Sequence, residues 1–188
     1  MEAFWTSTLI VALAEVGDKT QLLALILSAR FAKPVPIIAG IFVATLVNHA
    51  VAAALGQWVH SLLTPDALRW LLGVSFLAVA AWAIVPDKLD EDAPAASHLG
   101  VFVVALIAFF LAEIGDKTQI ATVMLAARFD ALASVVAGTT LGMMLANVPA
   151  VLLGQAATRR MPIRTMRLIA AALFAALGVA TLAGVKMG

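Results

Sequence analysis

The chain has 188 residues, of which 63% are hydrophobic and 12% charged, with a formal net charge of +1 and a mean hydropathy of +1.05. A soluble domain is about 45–50% apolar and about 25% charged, so this composition excludes an ordinary soluble fold and points to an integral membrane protein. The lack of any cysteine excludes disulfides, thiolate metal sites and cysteine nucleophiles.

Six apolar runs follow one another, each of about 20 residues or more, enough to cross about 30 Å of hydrocarbon as helix. The first covers about residues 4–29 and is read as a retained helix, because Met1-Glu2-Ala3-Phe4-Trp5 lacks the basic start of a cleaved signal peptide. Pro34 closes it, since proline disfavours helix at the residue before it. The second covers about 35–60. The third opens at Thr64-Pro65-Asp66, with Thr64 as N-cap and proline at the first helical position, and runs to Pro86. The hydrophilic stretch 87–98, with Asp87, Lys88, Asp90, Glu91 and Asp92, is read as an acidic linker. The fourth run covers about 99–127. The fifth, about 131–157, carries Asn147 and a Pro149 expected to kink it. A basic loop with Arg159, Arg160, Arg164 and Arg167 leads into the sixth run, about 165–185.

Two of these runs carry the same charged heptapeptide. Glu15-Val16-Gly17-Asp18-Lys19-Thr20-Gln21 in the first recurs 98 residues later as Glu113-Ile114-Gly115-Asp116-Lys117-Thr118-Gln119 in the fourth. Ala29-Arg30-Phe31 and Ala127-Arg128-Phe129, Gly40 and Gly138, and Gly56-Gln57 and Gly154-Gln155 keep the same offset, whereas Asn48 and Asn147 match only after a slip of one residue. The chain is thus expected to be a duplication, with residues 1–86 and 99–188 as two three-helix repeats around the linker. Three helices per half is an odd number, so the second half enters from the opposite face. The expected fold class is an all-α membrane protein of six transmembrane helices in two inverted repeats, an arrangement found in secondary transporters with sites near the midplane.

Loop charge orients this array. Arg69, Arg128 and Lys186 lie on the side of the N-terminus, and Arg30, Lys33, Lys88, Arg159, Arg160, Arg164 and Arg167 on the other. The positive-inside rule places both termini outside and the linker in the cytoplasm. Trp5, Trp58 and Trp70 then fall at the outer boundary and Trp82 near the inner one.

Charges inside apolar runs are costly and mark function. On a continuous helix Glu15 and Asp18 lie about 60° apart, and Lys19 stands about 40° to the other side of Glu15, placed for an i,i+4 pair with it. Gly17 lies opposite, where it permits close approach of another backbone or a bend at the charged turn. The second motif repeats this geometry. Together Glu15, Asp18, Glu113 and Asp116, with Lys19 and Lys117, carry −2 if all are ionised, the charge that one divalent cation neutralises. Gln21, Gln119, Asn48 and Asn147 are candidate further ligands, and an all-oxygen set suits Ca²⁺, Mn²⁺ or Mg²⁺. Lys19, Lys117, Thr20, Thr118, Gly17 and Gly115 would support the site. Crowded acids repel one another and take up protons when no cation is bound, which gives a route to cation/proton exchange.

Blander readings stand beside this one. Glu–Lys pairs can simply hold membrane helices together, although two matched copies with excess negative charge weigh against that. Asn48 and Asn147 suit interhelical hydrogen bonds, His49 a packed core position, and Arg30 and Arg128 snorkelling to the interface. An intramembrane aspartyl protease needs two acids sharing a proton, not four with two ammonium groups. An exporter of amino acids or small organic cations would fit the scaffold, but no aromatic box is evident. A passive channel is the third alternative.

The duplicated E-hydrophobic-G-D-K/R-T/S motif, on the first and fourth of six helices, resembles that of the calcium/manganese cation-exchanger family, whose eukaryotic members serve the Golgi and whose bacterial members export manganese. The repeat covers nearly the whole chain and both copies fit the pattern. The resemblance implies a divalent-cation antiporter, not an enzyme, with Glu15, Asp18, Glu113 and Asp116 at the cation site. The compact chain is similar to the bacterial manganese exporters, which implies a multi-pass protein of the bacterial inner membrane. Its expected partners are Mn²⁺ or Ca²⁺, a counter-ion (H⁺ or Na⁺) and the lipid bilayer. No resident cofactor and no nucleic acid are expected.

Overall fold

A computed structural model describes residues 1–85, 100–153 and 163–184. All the regular structure among these residues is helical: α1 (Glu2–Glu15), α2 (Lys19–Phe31), α3 (Pro34–Leu62), α4 (Pro65–Ala83), α5 (Val101–Glu113), α6 (Lys117–Phe129), α7 (Leu132–Leu153) and α8 (Ile163–Leu182). Three of them, α3, α4 and α7, are by themselves long and apolar enough to cross a membrane. The linker expected at 87–98, and Gly154, Gln155, Arg159, Arg160 and Lys186, lie outside the described residues.

Local chemistry accounts for most of the ends. Pro34 and Pro65 open α3 and α4, and Thr64 caps α4 as expected, its hydroxyl accepting from the Ala67 N–H at 3.4 Å. The helices α2 and α6 both end on a left-handed residue, Ala32 and Asp130, whose N–H groups return to the carbonyls of Ser28 and Ala126.

The first and fourth apolar runs are not continuous helices. Each breaks at its motif, so that α1 and α2 share one run and α5 and α6 the other. The angular positions expected for Glu15, Asp18 and Lys19 on one helix therefore do not apply.

Packing joins the halves through reciprocal contacts. The helix α3 lies against α5 and α6, and α7 lies against α1 and α2. A Cβ at Gly40 would come within 2.7 Å of the Phe102 carbonyl, and a Cβ at Gly138 within 2.4 Å of the Phe4 carbonyl. In both places backbone meets backbone. Phe76 of α4 and Phe174 of α8 stack at 6.5 Å between centroids, and both are fully buried. Gly40 and Gly138, Phe4 and Phe102, and Phe76 and Phe174 each stand 98 residues apart in the sequence.

Candidate cation site at two helix breaks

The motif reads as turn chemistry. Val16 has φ −64° and ψ 114°, Gly17 has φ +78°, and the Asp18 N–H donates to the Glu15 carbonyl at 3.0 Å. Those are the angles and the closing bond of a type II turn, which needs φ > 0 at its third residue and so favours glycine there. Ile114 (φ −61°, ψ 121°), Gly115 (φ +73°) and the Asp116 N–H donating to the Glu113 carbonyl at 3.1 Å repeat it. In E-x-G-D the glutamate thus ends one helix, the glycine turns the chain, and the aspartate is N-cap of the next helix.

Neither aspartate uses its side chain to cap its own helix. Each is left to face the interior at a helix N-terminus, where the backbone dipole favours negative charge. Glutamine takes the locking role instead. The Gly17 N–H donates to Gln21 Oε1 at 2.9 Å, and the Gly115 N–H to Gln119 Oε1 at 2.7 Å. Gln21 Nε2 also reaches the Ala146 carbonyl of α7 at 3.1 Å.

All four acids are buried, Glu15 and Glu113 at 0% exposure and Asp18 and Asp116 at 2%. Glu15, Asp18 and Asp116 each offer a carboxylate oxygen within 4.8 Å of the others. Two oxygens on opposite sides of a cation bound at about 2.4 Å are about 4.8 Å apart, so this grouping has the size of a hard-cation site. Glu113 is not part of that trio, and its Oε2 lies 3.5 Å from His49 Nε2. Glu15 Oε1 and both Glu113 oxygens have no hydrogen-bond donor among the described residues. Buried oxygens of that kind are normally satisfied, and they suit a cation.

The lysines cross over. Lys19 Nζ lies 3.3 Å from Asp116 Oδ1, and Lys117 Nζ lies 3.1 Å from Asp18 Oδ1. The expected i,i+4 pairing of Lys19 with Glu15 is thereby replaced, because the helix break removes the periodicity on which it depended. Thr20 Oγ1 donates to Glu15 Oε2, while Thr118 Oγ1 donates to Asp116 Oδ2 at 3.3 Å.

The asparagines divide. Asn48 Nδ2 donates across to the Phe110 carbonyl at 3.1 Å, an interhelical bond. Asn147 Nδ2 stays on its own helix, donating to the Met143 carbonyl, and its Oδ1 is buried without a donor among the described residues. The helices α2 and α6, and the starts of α3 and α7, keep the 98-residue offset without slippage. By that offset the counterpart of Asn147 is His49, not Asn48.

Sequence reasoning missed three members of this neighbourhood: His49 beside Glu113, the Ala146 carbonyl held by Gln21, and Arg167 of α8, whose Nη2 donates to the Gly17 carbonyl at 2.8 Å. The unslipped offset would have found His49. Arg167 repeats Arg69 at the same offset, but the carbonyls of Gly17 and Ala146 leave no mark in the sequence.

The described residues thus place buried acids at two helix breaks, crossed by lysines, in a chain of apolar helices. The class this defines is a transporter. A family model described as "Divalent cation/proton antiporter GDT1" matches residues 3–91 and 101–187, and the chain belongs to that family. A protein of Vibrio cholerae named "Putative manganese exporter" is 57% identical over 172 residues, 91% of this chain and 86% of its own. A GDT1-like protein of Synechocystis is 30% identical over 93% of both chains, and GDT1-like protein 3 of Oryza sativa is 27% identical over 96% of this chain and 73% of its own. No solved structure matches.

Proposed function

We propose that the chain exports divalent cations, Mn²⁺ foremost and Ca²⁺ secondarily, in exchange for protons. One observation carries the reading: Glu15, Asp18 and Asp116, drawn from both helix breaks, present oxygens within 4.8 Å of one another in a buried setting. Manganese is favoured over calcium by the V. cholerae relative's name, and protons over Na⁺ by the family's.

In this reading the two broken helices count as one span each, giving six spans in two inverted repeats. The reciprocal contacts 98 residues apart support that. Both termini lie outside, on the lysine and arginine balance of the loops. Trp5, Trp58 and Trp70 are each more than half exposed, as interfacial tryptophans would be.

The lysines stand in for the cargo. With no cation bound, Lys19 and Lys117 neutralise Asp116 and Asp18. An arriving cation competes for the same oxygens, so the ammonium groups withdraw and Glu15 and Glu113 complete the ligand set. Protons returning from outside convert the acids to neutral groups and release the metal. Alternating access follows if the halves tilt about this shared centre.

Purified protein in liposomes with an imposed pH gradient tests the proposal. Uptake of Mn²⁺ with matched proton movement is the expected result. Mn²⁺ flux that ignores the pH gradient would mark a channel, and coupling to Na⁺ alone would correct the counter-ion. Uptake of Ca²⁺ in preference to Mn²⁺ would reverse the assigned order of cargo.

A further inference from the structure

The two motif turns match in backbone but not in surroundings. Gly17 is buried and its carbonyl accepts from Arg167 Nη2 at 2.8 Å. Gly115 is exposed, and a Cβ built there meets nothing within 4 Å. The helices differ accordingly: α8 packs on α1, whereas α4 packs on α6 rather than on α5.

The arginine at the first turn has a counterpart. Arg69 of α4 precedes Arg167 by 98 residues, the same interval that separates Gly17 from Gly115. A two-fold exchange of the halves would therefore carry Arg69 to the Gly115 carbonyl. In the structure Arg69 instead pairs on its own helix with Asp66, an 85% exposed residue 3.3 Å away, and its buried Nε has no partner among the described residues. The lysine environments are unequal too, with Lys19 26% exposed and Lys117 5%.

An unwound turn inside a membrane leaves carbonyls that need a donor, and a guanidinium supplies a strong, charge-assisted one. We propose that Arg167 and Arg69 are positioning residues that hold the two motif turns in alternation. Arg167 clasps the Gly17 carbonyl in the state described here. In the opposite state Arg167 lets go, α4 moves onto α5, and Arg69 clasps the Gly115 carbonyl. Each arginine acts through the turn that sets the neighbouring Glu and Asp, and neither touches the cation. The inference rests on the transport reading above, because two alternating states need a cycle to visit them.

The test uses the full chain, which has no native cysteine. Val16→Cys and Ile114→Cys are introduced singly and labelled with a water-soluble maleimide, in the parent and in Arg167→Gln, Arg167→Lys, Arg69→Gln and Arg69→Lys backgrounds. A hydrogen bond to a charged group is worth roughly a tenfold population shift or more. Arg167→Gln is therefore expected to raise the Val16→Cys to Ile114→Cys labelling ratio about tenfold, and Arg69→Gln to lower it. The lysine variants, which keep charge and a donor, are expected to move it less in each case. Opposite shifts with partial rescue by lysine cannot come from general loosening of the fold. Shifts in the same direction, or none, overturn the proposal. Mn²⁺ flux in the parent is measured alongside. Opposite labelling shifts in a protein that moves no divalent cation would overturn the function and leave the two arginine roles standing.

Discussion

Lys117 Nζ lies 3.1 Å from Asp18 Oδ1, and the bond joins the second helix break to the first. Its counterpart, Lys19 to Asp116 at 3.3 Å, runs the other way. Each half thus supplies the ammonium that neutralises the other half's aspartate. A lysine paired within its own helix would hold one half together; these hold the two halves to each other.

Removing one partner of a buried ion pair leaves an uncompensated charge, which costs about 3–5 kcal/mol. Lys117→Met alone is expected to lower the thermal midpoint in detergent, and Asp18→Asn combined with Lys117→Met to recover most of the loss. Mn²⁺ transport should not return in the double variant, because Asp18 is also a proposed ligand. Recovery of both stability and flux would remove Asp18 from the site.

Loss of a proposed ligand should exceed the roughly 10–100-fold effect of losing a group that merely orients one. Glu15→Gln and Asp116→Asn are each expected to abolish protection of manganese-sensitive cells at matched expression. Survival equal to the parent in either variant would refute the ligand assignment.

Gly115→Ala isolates backbone strain, since the new methyl group meets nothing within 4 Å while φ remains +73°. A left-handed alanine costs about 1–2 kcal/mol relative to glycine. Folded protein should still be obtained, with transport reduced. Gly138→Ala tests packing instead, because its Cβ would stand 2.4 Å from the Phe4 carbonyl. That variant should show the larger fall in thermal midpoint of the two.

Gln21→Leu removes the acceptor of the Gly17 N–H and the donor to the Ala146 carbonyl. Leaving the buried Gly17 N–H unpaired costs about 1–3 kcal/mol, and the Ala146 carbonyl loses its second donor. Gln21→Glu, which keeps the acceptor, should lose less stability. If the two melt alike, the glutamine does not lock the turn.

His49→Asn gives α3 the residue that its counterpart position, Asn147, already carries. Transport should stay within about tenfold of the parent, the scale of one hydrogen bond. His49→Leu, which takes the polar group away from Glu113, should do worse in the same flux assay.

Much of this was legible in the sequence. Apolar runs marked the helices, Pro34, Thr64 and Pro65 their ends, and the doubled heptapeptide the buried acids. The helix break at each motif is legible in part, since Gly17 is a residue at which the chain can bend. Its form is not. A stretch of seven residues inside a run of more than twenty apolar ones reads as helix by periodicity, and only the backbone angles show a type II turn. The lysine partners are hidden for the same reason: i,i+4 geometry does not hold across a break. Arg167 reads as loop charge, although Arg69 stands at the same offset, because its acceptor is a carbonyl; Asn48 matches Asn147 by residue likeness and not by the offset that the helices keep.

The touching backbones at Gly40 and Gly138 limit how the halves can move. In each, a helix from one half presses without any intervening side chain on the opening helix of the other. Pulling the halves apart would open a void at both places, and sliding them would drive neighbouring side chains into the space that glycine leaves. A bulkier residue at either glycine would wedge two backbones apart, and any motion of one half against the other has to keep both contacts closed.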